Sequence, residues 1–204
     1  MQEILTTVIT LSIIAAITPG PLMALLLSET LKHGKASGIK IALAPLFTDL
    51  PIMLVGTFIL SKLSQLNILL GLISLFGSIY LAYLAYGSIK TKSVNLETRE
   101  ENRSLRKGII SNFLNPNPYI FYFSILGPLV VKGMKINFLL GPICLAIFLG
   151  FFVLFMILIV LSVHYAKDFF SSKKYIYVIR ILGVILLYFA FTFFLESLKY
   201  FGLI

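Results

Sequence analysis

Six stretches of this 204-residue chain run for more than twenty residues with few charges, near residues 4 to 31, 38 to 61, 66 to 90, 107 to 131, 137 to 163 and 175 to 202. At about 1.5 Å per residue, each is long enough as a helix to cross ~30 Å of hydrocarbon. Lipid offers the backbone no hydrogen bonds, so a spanning chain must form helices or a closed barrel. Barrel strands alternate apolar and polar residues over about ten positions, whereas these stretches are apolar all round. Composition agrees: 59% of residues are hydrophobic and 12% charged, with a mean hydropathy of +1.00, against roughly a quarter charged in soluble domains. The expected fold class is an all-α membrane protein with six transmembrane helices.

The net charge of +9 would suggest nucleic acid in a soluble protein, but no basic face interleaved with aromatics is present, so nucleic-acid binding is not expected. The bases instead flank the apolar stretches. The first, third and fifth connections carry thirteen Lys and Arg, and the opposite side carries Lys62, Lys132, Lys135 and Lys199. By the positive-inside rule the odd connections face the cytoplasm and both termini face outward, in a multi-pass protein of the plasma membrane. The N-terminus reads Met1, Gln2, Glu3, without the basic region of a signal peptide, so the first stretch is read as a retained span. Cys144, the single cysteine, supports neither an intramolecular disulfide nor a cysteine-rich metal site.

The polar stretch 91–106 is the one evident linker, and it divides a single transmembrane domain, 1–204, into halves of about 1–92 and 104–204. Three spans per half force the second half to enter the membrane upside down, a 3+3 inverted repeat. GSIYLAYLAYGSIK from Gly77 and GVILLYFAFTFFLESLK from Gly183 are the weak sequence echo of such a repeat.

Thr18-Pro19-Gly20-Pro21 interrupts the first helix, and Asn115-Pro116-Asn117-Pro118 interrupts the fourth. Doubled prolines remove backbone donors and clash with preceding carbonyls, so both helices are expected to break. Counting from the cytoplasmic ends puts Gly20 about 18 Å deep and Asn115 to Pro118 about 12 to 16 Å deep. Asp49, preceded by Thr48, falls about 16 Å deep in the second helix. An uncompensated acid near the bilayer centre costs about 2.5 to 3.5 kcal/mol, so such residues usually mark a pathway. Asp49, Thr48, Thr18, Pro19, Gly20, Pro21, Asn115, Pro116, Asn117 and Pro118 are therefore the candidate site for substrate and proton coupling.

Other polar residues point to little. Glu29 and Glu196 lie near helix ends, where water or a nearby Lys can reach them, and His33 and His164 fall at cytoplasmic ends without companion ligands, so no metal site is expected. Ser74, Ser78 and Ala82 form a small-residue stripe suited to close helix packing. Tyr80, Tyr83 and Tyr86 fit either an interface belt or a cavity lining. No second acid, nucleophile-base pair or H-E-x-x-H motif accompanies Asp49, so neither an enzyme nor a cofactor is expected.

At these residues the chain resembles the lysine exporter superfamily of LysE/RhtB type. The resemblance rests on ITPGP at Ile17 to Pro21, HGKASGIKIAL from His33, the pair Thr48-Asp49, GSIYLAYLAYGSIK from Gly77 and RKGIISNFLNPNPYIFYFSILGP from Arg106. It implies a six-helix carrier that exports amino acids or related small metabolites, driven by the proton gradient, and possibly a homodimer. The chain departs from many such exporters at Leu22, where Asn follows Pro-Gly-Pro, and at Asn117-Pro118, where a basic residue is usual. The alternatives are an ion or metal-cation exporter or channel of the same superfamily, and a membrane scaffold.

Overall fold

The computed structural model describes residues 1–59, 66–90, 101–166 and 172–203. Among them the chain is helical throughout, with no strand: α1 (Gln2–Ile17), α2 (Pro21–His33), α3 (Lys35–Ile59), α4 (Leu66–Ile89), α5 (Glu101–Phe113), α6 (Pro116–Phe121), a π turn (Tyr122–Leu126), α7 (Gly127–Ile136), α8 (Leu140–Ala166) and α9 (Ser172–Tyr200). Among the described residues five helical segments are long and apolar enough to cross a membrane, and α1 with α2 makes a sixth, bent by 58° at its break. The architecture is thus an all-α membrane fold of six spans, with the first and fourth interrupted at the doubled prolines. Spacing decides this: Pro45 and Pro51, six residues apart, sit inside a continuous α3. Of the linker 91–106, residues 91–100 lie outside the described residues.

The fourth span differs from expectation in extent. Its helix begins at Glu101 rather than near residue 107 and continues past 131 to Ile136, and its apolar portion is Pro116–Ile136. At the far end Lys132 and Lys135 are exposed and their long stems tolerate an apolar neighbourhood. At the near end Ser104, Lys107 and Asn112 of α5 find protein partners, described below.

The most extensive helix contact is between α4 and α9. They run antiparallel: Gly71 lies against Phe201, Gly77 against Phe193, and Gly183 against Ser88 and Ile89. A shift of 106 residues carries Gly77 onto Gly183 and brings Phe193 back to Gly87, beside Ser88, so the two close approaches are images of one another. Other contacts exchange in the same way. Thus α1 packs on α8 as α5 packs on α3, and α2 packs on α3 as α7 packs on α8. One apolar cluster joins α2, α3, α4, α8 and α9 around Leu26, Ile41, Leu81, Met156 and Phe193. A second joins α1, α3, the π turn, α7 and α8 around Val8, Met53, Tyr122 and Phe148. The remaining faces of α4 and α9 turn outward, with Tyr83, Tyr86, Tyr188 and Phe191 each at least 60% exposed, as lipid-facing surfaces are. Tyr86 meets Lys90 at the end of α4, an interfacial anchor.

Candidate functional site

The two breaks expose backbone in different ways. Pro19 and Pro21 have no N–H to return to the carbonyls of Ala15 and Ile17, four residues earlier, so the end of α1 keeps acceptors free. The Thr18 hydroxyl and amide both turn back to the Ile14 carbonyl, at 2.6 and 3.0 Å. Gly20 is extended and α2 restarts with Pro21 at its first position. The N–H groups of Leu22 and Met23, in the first turn of α2, then have no intrahelical acceptor.

The second break is closed by its own side chains. The Asn115 side chain caps α6 by accepting from the Asn117 backbone N–H at 3.0 Å, and the Asn115 backbone N–H donates to the Asn112 backbone carbonyl at 3.1 Å. The Phe113 carbonyl, left without Asn117, accepts from the Tyr119 hydroxyl at 2.9 Å. Pro118 leaves the Leu114 carbonyl free, and it presses against α4 so closely that a Cβ at Gly77 would lie 2.1 Å from its oxygen. With Pro116 and Pro118 lacking N–H groups and Asn117 committed, the start of α6 offers few amides to a solute. The start of α2 offers more, so the two half-helix starts are not equivalent.

Asp49 lies where these breaks meet and is only 6% exposed. The Asn112 side-chain amide donates to Asp49 Oδ1 at 2.5 Å and to Thr48 Oγ1 at 2.6 Å. The single Thr48 hydroxyl proton is shared between Asp49 Oδ1 at 3.1 Å and the Ala44 carbonyl at 3.2 Å. All these bonds to the carboxylate fall on Oδ1, which leaves Oδ2 to the space beside it. That space is a cavity of about 440 Å³ reached by α1, α2, α3, α5, α6, the π turn and α8.

Of the residues singled out by sequence, Thr18, Pro19, Gly20, Pro21, Asp49, Asn115, Asn117 and Pro118 line this cavity. Thr48 and Pro116 do not. Thr48 stands behind Asp49 as its hydrogen-bond partner, and Pro116 is buried in the first turn of α6. Sequence reasoning missed Asn112, although its position one turn before Asn115 was a usable signal. It also missed Met23, Met53, Met156, Phe121, Phe148 and Phe152, which are among the remaining lining residues. Apolar residues inside apolar spans carry no mark of which ones face a cavity. Tyr80, Tyr83 and Tyr86 do not line it.

A second polar group lies toward the basic ends of the helices. Glu29, expected within reach of water or a nearby Lys, is 2% exposed and meets the Lys: it accepts from Lys107 Nζ at 2.9 Å and from the Ser104 hydroxyl at 2.8 Å. Beside it Lys32 donates to Ser88 at 2.8 Å, and Ser28 lies 3.2 Å from the same hydroxyl. The Glu29–Lys107 pair ties α2 to α5, the half-helices that flank the two breaks. This is how α5 holds polar residues inside the bundle, since a buried carboxylate requires a cation and hydrogen bonds. His33 ends α2 and His164 lies in the last turn of α8. Among the described residues no three His, Cys, Asp or Glu side chains come together.

Comparison with known families matches residues 13–197 of the chain to the LysE type translocator family. No curated protein and no solved structure matches the chain.

Proposed function

Because the chain belongs to the LysE type translocator family, and so is a membrane transporter, we propose that it is a secondary active exporter of amino acids or related small metabolites, coupled to protons through Asp49. The observation that carries this reading is the cavity: both helix breaks open onto it, and Asp49 is the only charged side chain among its lining residues. Asp49 Oδ2 receives either a proton or the ammonium of the solute. Competition for one carboxylate produces antiport by exclusion, because a loaded carrier sheds its proton and a protonated one sheds its cargo. The distribution of Lys and Arg supports a plasma-membrane protein with both termini outside.

In this reading the halves 1–92 and 104–204 form an inverted repeat, supported by the exchange of contacts between them, and rocking of one half against the other alternates access to the cavity. The Glu29–Lys107 pair then joins the halves on the cytoplasmic side, and that side opens when the pair separates.

The test is reconstitution in sealed vesicles with an imposed pH gradient and labelled amino acids, small metabolites and cations. Gradient-dependent flux of a solute is expected, and Asp49→Asn is expected to abolish it while leaving folded protein in the membrane. Undiminished gradient-driven flux in that variant would sink proton coupling through Asp49. Flux too fast for a carrier cycle would indicate a channel, and no flux with any solute would return the scaffold reading.

A further inference from the structure

The chemistry of the cavity wall narrows the cargo, on the premise that the cavity is the transport site. Its polar groups come from the two helix breaks, from Asp49 on α3, from Asn112 on α5 and from Tyr122 on the π turn. Asp49 Oδ2 is open to the space, the amides of Asn112, Asn115 and Asn117 lie around it, and the first-turn N–H groups of Leu22 and Met23 belong to residues that also line it. The apolar part of the wall includes Phe148, Phe152 and Met156 from α8, together with Met53 and Phe121. Phe148 stacks on Phe152 at 5.9 Å and on Phe121 at 5.5 Å, so the three rings form one continuous aromatic run. Among the described residues no Lys, Arg, His or second carboxylate lines the cavity.

We infer that the cargo is an α-amino acid with an apolar side chain, its ammonium at Asp49 Oδ2 and its side chain against Met156, Phe148 and Phe152. A head group carrying one positive charge finds its counter-charge in Asp49. The cargo's carboxylate finds the start of α2, where free N–H groups and the helix dipole favour an anion. The side chain finds polarizable sulfur and aromatic surface, which adapts to unbranched, branched or ring-bearing shapes. A lysine or arginine side chain would bring a second cation against this wall with nothing to neutralise it, and burying an unpaired charge is strongly unfavourable. An aspartate or glutamate side chain would meet no cation. The volume of about 440 Å³ is ample for a single amino acid.

The proposal is tested on the whole protein in two ways. In detergent, leucine, methionine and phenylalanine are each titrated against thermal unfolding beside lysine, glutamate and the amine made by removing the carboxylate of leucine. Apolar amino acids are expected to stabilise the protein at concentrations at least tenfold lower than the other three. In vesicles with an imposed pH gradient, flux is expected to follow the same order. Phe152→Glu, which places a counter-charge on the wall, is expected to raise lysine flux relative to leucine flux at least tenfold, with Phe152→Leu as the control that keeps the wild-type preference. Gradient-driven flux of lysine or glutamate equal to that of leucine would overturn the apolar assignment while leaving the transporter reading intact. Equal binding of the amine and of leucine would overturn the role given to the start of α2. Absence of flux with every solute would count against the transporter reading itself, and absence of any stabilisation by apolar amino acids would overturn the cargo assignment independently of flux.

Discussion

Replacing Lys107 by Met keeps the length and most of the apolar stem of the side chain but removes the cation that faces Glu29. The carboxylate then keeps only the Ser104 hydroxyl, in a site where the Glu29 side chain is 3% exposed and Lys107 was 23% exposed. Breaking a buried pair from one side costs ~3–5 kcal/mol because a charge is stranded, and the partial access of water to Lys107 lowers the expectation here to about 2–3 kcal/mol. The double variant Glu29→Gln, Lys107→Met strands no charge, since the amide can still meet Ser104. It should recover most of the loss, giving a coupling of about 2 kcal/mol in a double-mutant cycle. The chain supplies its own reporter. Cys144 is the single cysteine and is fully buried, so a thiol-reactive fluorophore labels it only when the fold opens. Unfolding by added SDS, followed by labelling of Cys144, measures each variant on the same scale. A Lys107→Met protein as stable as wild type, or a double variant whose loss equals the sum of the singles, would refute the argument that the pair is buried and mutually dependent.

The same assay reads two further changes. Gly77→Ala places a methyl on the Leu114 carbonyl oxygen and should cost about 1–3 kcal/mol through overpacking, whereas Gly87→Ala, where a Cβ meets nothing within 4 Å, should be neutral or stabilising by about 0.5–1 kcal/mol; equal effects at the two glycines would contradict the close approach of α5 to α4. Asn115→Ala removes the cap of α6 and should lower stability by about 1 kcal/mol, and Asn115→Ser, a neutral cap that still presents an accepting oxygen, should restore most of it; failure of Ser to do better than Ala would show that capping is not the reason for Asn at this position.

What the sequence determined by itself was everything that a solvent of lipid imposes. Backbone groups in hydrocarbon must pair within their own segment, so charge-free length dictated six helical spans, and prolines spaced two apart dictated where two of them break. An acid in an apolar span drew attention to Asp49 for the same reason, since its desolvation demands a use or a partner. Tertiary structure alone decided which side chains those demands recruit. Asn112 became the partner of Asp49 because α5 packs on α3, and Glu29 left the water for Lys107 and Ser104 because α2 lies against α5. Phe148, Phe152 and Met156 became a cavity wall only through the placement of α8, since helices that are apolar on every side carry no periodicity to say which face is inward. The two breaks, alike in sequence, were separated by hydrogen-bond accounting: Asn115 and two prolines close the start of α6, while Gly20 leaves that of α2 open.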